Sequence, residues 1–124
     1  MLKDQEKLHK QLAGPIDDSV RAVYLLLAHA KLPDCFDIRP YGHGYIEREL
    51  RFELDERWYF SAVLNKSWVL WYFRRPALAG LEKDAAELLQ IFPKAELTKN
   101  EEVKLRIREP ETAYAVLGWV LQNG

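Results

Sequence analysis

The sequence predicts an α+β domain in which an antiparallel sheet of four to five strands packs with helices. Three observations carry this. Residues 45–55, 57–64 and 67–74 read as consecutive strands, joined only by Asp55-Glu56 and Asn65-Lys66, which makes an antiparallel meander. Residues 102–108 alternate cleanly, with Val103, Leu105 and Ile107 inward and Glu102, Lys104, Arg106 and Arg108 outward. The segments before, between and after these strands carry apolar residues at three- and four-residue steps, the period of helices laid on a sheet. The element order is α-α-β-β-β-α-β-α, and runs of strands flanked by helices indicate α+β architecture.

Taken in order, residues 2–13 form a polar helix with a thin stripe of Leu2, Leu8 and Leu12, ended by Gly14-Pro15. Such a stripe buries little, so this helix is expected to be frayed or to pack on a partner. Asp17-Asp18-Ser19 supplies N-cap candidates and favourable charge for a second helix. Its apolar positions Ile16, Val20, Val23, Tyr24 and Leu27 are widened by Leu25, Leu26 and Ala28, as in a helix buried on more than one side. It stops before Pro33, because the residue preceding a proline is pushed out of the α region. Residues 32–44, punctuated by Pro33, Pro40, Gly42 and Gly44, read as a connector rich in reactive side chains: Asp34, Cys35, Asp37, Arg39, Tyr41 and His43.

In the first strand Ile46, Leu50, Phe52 and Leu54 face one way and Glu47, Glu49, Arg51 and Glu53 the other. Arg48 falls on the apolar side, so it needs a carboxylate or the sheet's rim. The next two strands are aromatic on both faces. In one, Trp58, Phe60, Ala62 and Leu64 oppose Tyr59 and Val63. In the other, Trp68, Leu70 and Tyr72 oppose Val69, Trp71 and Phe73. Pro76 suits a first helical turn, Leu78, Leu81, Ala85, Leu88 and Phe92 continue the helix, and Pro93 ends it, with Gly80 placed to split off the first turn. A short strand is expected within 94–98. Glu109-Pro110-Glu111 opens the last helix, and Asn123-Gly124 suits its C-cap.

Composition narrows the function classes. The 124 residues are expected to form one domain, large enough to fold without a disulfide or metal. The net charge of −1 shows none of the overall basic excess usual in dedicated nucleic-acid binders. The lone Cys35 cannot form an internal disulfide. The charged N-terminus lacks a signal-peptide core, and the longest apolar runs, Tyr24–Ala28 and Trp68–Phe73, fall far short of the roughly 20 residues that span a bilayer. A cytoplasmic protein without membrane contact is predicted.

Val20-x-x-Val23-Tyr24, Trp58-Tyr59-Phe60 running into Trp68-Val69-Leu70, Arg75-Pro76-Ala77-Leu78 and Val103-x-Leu105-x-Ile107 together form a pattern over about 16–122. It resembles small bacterial domains of the YjbR-like kind and related uncharacterised α+β families. The resemblance implies the fold and transfers no functional residue. A helix, three strands, a helix and a strand also resembles the core order of restriction-endonuclease-like nucleases. Their metal-binding acid and Glu-x-Lys have no counterpart in Ser67-Trp68-Val69-Leu70-Trp71-Tyr72-Phe73.

No familiar catalytic motif is present: the chain lacks a phosphate-binding glycine loop and a Gly-x-Ser-x-Gly elbow. Tyr41 and His43 mark the one loop candidate, with Asp37 or Glu47 as orienting partners for the histidine; a turn into the following strand explains the flanking glycines equally well. His9, His29 and His43 stand at no metal-ligand spacing, so neither a metal nor another cofactor is expected. Asp34 and Asp37 would raise the Cys35 thiol pKa, which argues for an inert cysteine.

The aromatic strands point instead to an interaction surface, if one face is left uncovered. Tyr59, Trp71 and Phe73 are the expected anchors, with Arg74 and Arg75 at the rim. The expected partner is a protein or a second copy of the chain. Nucleic acid is the alternative, because arginines interleaved with aromatics hold single strands, although Arg–Glu pairs across a solvated face account for the same residues.

Overall fold

The computed structural model describes residues 1–32, 36–43, 46–78 and 82–123. Pro33, Asp34, Cys35, Gly44, Tyr45, Gly80, Leu81 and Gly124, all singled out in the sequence, lie outside them. The described elements are α1 (Gln5–Gln11), α2 (Asp18–Ala28), β1 (Asp37–His43), β2 (Ile46–Leu54), β3 (Arg57–Leu64), β4 (Val69–Phe73), a 3-10 turn (Arg75–Ala77), α3 (Glu82–Ile91), β5 (Glu96–Leu97), β6 (Val103–Ile107) and α4 (Pro110–Asn123). The six strands form one sheet in the order β1-β2-β3-β4-β6-β5, with every neighbouring pair antiparallel.

The predicted meander is present as β2, β3 and β4, and its hairpins follow from local geometry. Leu54 pairs with Arg57 across a two-residue turn. Asp55 and Glu56 both have positive φ, at 51° and 63°, the handedness that matches strand twist. The sheet exceeds expectation by β1, which the sequence presents as a connector. Pro40 and Gly42 hide it: proline lacks an N–H for the ladder and is tolerated at sheet edges. Here Pro40 pairs only with Leu50, at the sheet margin. Residues Met1–Lys3 run parallel to the other side of β1, with Lys3 N–H donating to the Ile38 carbonyl (2.8 Å) and Ile38 N–H to that of Met1 (3.0 Å).

The helices bury their apolar sides on one face of the sheet, whose inward residues include Ile38, Leu50, Phe52, Phe60, Ala62, Val69, Trp71, Phe73, Val103 and Ile107. Phe73 shows the arrangement. Its ring lies 5.2 Å from Trp119 of α4 and 6.3 Å from Phe92 at the end of α3, while Phe60 and Trp71 flank it at 6.0 Å each. Asp17 N–H donates to the Lys66 carbonyl, so α2 begins at the β3–β4 turn. Ile107 pairs with Val69, so α4 begins at that same end, and the two helices run side by side across the sheet.

The first helix is far better anchored than its thin leucine stripe predicts. Gln11 is fully buried, and each polar atom of its side chain is used. Its amide nitrogen donates to the Tyr41 and Glu49 carbonyls (2.7 and 3.2 Å), and its oxygen accepts from the Tyr24 hydroxyl (2.8 Å). Burial pushes the Tyr24 phenol pKa well above the usual tyrosine range. Arg48 resolves its misplaced charge here. It has no carboxylate partner among the described residues but donates to the Gln11 and Ala13 carbonyls (3.1 and 3.4 Å) at the helix C-terminus, where a cation is favoured.

Candidate functional site

The opposite face of the sheet carries no packed helix among the described residues, and its parity is set by β6. The single apolar row Val103, Leu105 and Ile107 must face the helices. Its partners Phe73, Trp71 and Val69 face them too. Two of the expected anchors, Trp71 and Phe73, are therefore fully buried core residues. The outward residues of β4 are Leu70 and Tyr72, both half-buried, with Trp68 just before the strand.

A bulge makes a second correction. Phe52 pairs with Phe60 and Glu53 with Trp58, so Tyr59 has no partner in β2. The extra residue re-aims the strand. Trp58 turns away from Phe60 onto the open face, and Tyr59 turns towards the core, its ring edge-on to Phe36 at 5.7 Å. Of the three expected anchors only Tyr59 keeps any exposure, and it packs against the core cluster.

The open face holds two arrangements of arginine and aromatic side chains. Over β1–β4 they form a ladder. The Arg51 guanidinium lies 4.0 Å from the Tyr41 ring centre and 4.0 Å from that of Trp58, and Arg74 lies 3.7 Å from Trp58. Each cation of this ladder also has an anion. Arg51 pairs with Glu49 (3.3 Å) and Arg74 with Glu102 (3.2 Å), while neighbouring Arg39 approaches Glu53 (3.6 Å). Tyr41 donates to Glu53 (3.4 Å) and Ser61 to Glu49 (2.5 Å). Arg74 further donates to the Trp58 carbonyl (3.1 Å), so it belongs to this network, whereas exposed Arg75 pairs with Glu101 (3.4 Å). Arg–Glu pairing on a solvated face describes this half.

Over β4 and β6 the pattern changes. Arg106 and Arg108 approach the Trp68 ring at 5.2 and 5.5 Å. Both are exposed, and neither has an ion-pair partner among the described residues. Lys104 extends the row on the same face, between Tyr72 of β4 and Glu96 of β5. Three cations thus alternate along one strand at a step of about 6.6 Å, twice the rise per residue. Leu70 and Tyr72 complete a surface that is partly apolar and locally positive.

The loop candidate does not assemble: no ion pair joins His43 to its expected partners Asp37 and Glu47 among the described residues. Exposed His43 pairs in the backbone with Ile46 across a register shift after Tyr41, and Gly42 takes a φ of 109°, as a glycine in a turn can. Asp37 lies at the far end of β1, opposite Glu53, so it cannot orient the imidazole. Tyr41 is drawn instead into the ladder. Among the described residues no group of three or more His, Cys, Asp or Glu side chains is placed to hold a metal ion. No described helix is long and apolar enough to cross a membrane. Comparisons with protein-family models, curated proteins and solved structures found no match.

The sequence marks the one-sided strand β6, and the register of β4 on it decides the open face. Pairing the aromatic strand with the unambiguous β6 assigns Val69, Trp71 and Phe73 inward. What periodicity does not carry is the bulge at Tyr59, since alternation places Trp58 with Phe60.

Proposed function

We propose that this chain is a non-enzymatic binding domain whose working surface is the open face of its sheet. One observation carries the reading. The helices all serve one face, and the other presents Trp68, Leu70 and Tyr72, half-exposed, in an arginine-rich surround. Tryptophan, tyrosine and arginine are the residues that dominate binding energy at protein interfaces, and a protein partner is the first reading. Leu70 and Tyr72 then replace Trp71 and Phe73 as anchors.

The test is affinity capture compared across variants, with and without nuclease. A stoichiometric protein that survives nuclease, and is lost with Leu70→Glu or Tyr72→Ala but kept with Ala86→Glu on the exposed side of α3, supports the reading. Equal loss with the helix-side variant sinks it. A second reading, single-stranded nucleic acid, is favoured by Arg106 and Arg108 beside Trp68, which have no ion-pair partner among the described residues, since stacking aromatics and backbone-neutralising cations are what such a ligand needs. Titration of a labelled oligothymidylate separates the two. Affinity that falls steeply with salt supports nucleic acid, and an absent or salt-independent response removes it.

A further inference from the structure

A second apolar surface lies on the far side of the molecule, over the helices. Between the C-terminal halves of α2 and α4 runs a groove of about 480 Å³, lined chiefly by Leu26, Leu32, Tyr114, Leu117, Gly118 and Leu121. Tyr114 is 65% exposed and Leu121 53%, and with Leu26, Leu32 and Leu117 they form one contiguous apolar surface. Gly118 sits between Tyr114 and Leu121. A glycine inside a helix is destabilising relative to alanine, so it calls for a reason. The described residues supply none, because a Cβ placed there would meet nothing within 4 Å among them. A body approaching from outside would meet it.

We propose that this surface binds a second copy of the chain, with the two α4 helices antiparallel across a two-fold axis at Gly118. An interface on such an axis must be complementary to itself, and this one is, in shape and in charge. Tyr114 lies one turn before Gly118 and Leu121 about one turn after it. Rotation about Gly118 therefore sets each Tyr114 against the other copy's Leu121, while the missing Cβ lets the helix axes approach. Glu109 and Glu111 mark the N-terminal end of α4. Lys31 and His29, at the end of α2, line the groove at the other end. None of the four has an ion-pair partner among the described residues. The same rotation brings the acidic end of each copy to the basic end of the other. The groove lies on the helix side, so pairing leaves both open sheet faces outward, and a dimer would engage a repetitive ligand at two points.

Sedimentation equilibrium of the full chain, from about 1 µM to about 1 mM, tests this. The wild type should pass from monomer to dimer within that range. Gly118→Leu and Tyr114→Glu should each weaken association at least about tenfold while the circular dichroism spectrum and thermal transition persist, since both positions face outward. Lys31→Glu should weaken it, and adding Glu111→Lys should restore it. A chain that stays monomeric throughout, or a dimer indifferent to Gly118→Leu, overturns the proposal. A double charge variant no tighter than Lys31→Glu alone overturns the antiparallel register.

Discussion

The two halves of the open face use the same residue types to opposite ends. Over β1–β4, Arg39, Arg51 and Arg74 each have a carboxylate, and Arg51 and Arg74 also press on tyrosine or tryptophan rings. Over β4 and β6, Arg106 and Arg108 meet a tryptophan at longer range and no carboxylate among the described residues. The ladder half has used its interactions on itself. A ligand could stack on Trp58 only by displacing guanidinium groups already bound there. The other half keeps its charge and ring faces available. Arginine beside an aromatic is therefore not in itself a binding signature; the deciding variable is whether carboxylates of the same chain have already neutralised it.

The largest effect should mark the boundary between the open face and the core. Trp71→Ala should lower stability by about 3–5 kcal/mol, the range for truncating a buried aromatic, while Tyr72→Ala one residue away should cost less than about 1 kcal/mol. Urea unfolding of both variants measures the contrast, and similar losses would mean that Tyr72 is also core.

Next in size is the polar anchor behind the ladder. Gln11→Ala leaves the Tyr24 hydroxyl and two strand carbonyls without their partner, and a buried unpaired group costs about 1–3 kcal/mol. Tyr24 adds a pH dependence. Its proton is held more tightly in the folded state, so the stabilisation is complete below the unfolded tyrosine range near 10 and is lost as pH rises beyond it. Tyr24→Phe should flatten the alkaline fall in the thermal transition; an unchanged slope would place the loss elsewhere.

The two tryptophans of the open face should then separate stability from binding. Trp58→Ala removes two close cation–π contacts, each worth about 0.5–1 kcal/mol at exposed sites, and should lower stability while leaving ligand capture nearly unchanged. Trp68→Ala should do the reverse. If Trp58→Ala abolishes capture in a folded protein, the ladder is a binding element and the comparison fails. The smallest change is in the β2–β3 turn that frames the ladder. Glu56→Gly relieves a left-handed conformation costing about 1–2 kcal/mol, partly offset by the unfolded-chain entropy of glycine. A net gain of about 0.5 kcal/mol should appear in the same unfolding assay.

Much of the architecture could be read in the residues. The meander, the helix beginning near Pro110 and the alternation of β6 rest on local periodicity and turn chemistry, which act between residues near in sequence. Periodicity also located the aromatic strands that supply the open face. It did not expose β1, because Pro40 and Gly42 break the apolar pattern, and what makes this segment a strand is its pairing with β2 and with residues Met1–Lys3. It underrated α1, because a buried glutamine looks like a surface residue until its three partners on α2, β1 and β2 converge on it.

By itself, then, the sequence determined the α+β class, most elements and the presence of aromatic strands between helices. Tertiary structure alone decided which side of those strands is open. Alternation defines two faces without saying which is covered. That choice was made where β4 met a strand with only one apolar row, and where one unpaired residue, Tyr59, turned Trp58 from the core side to the open face.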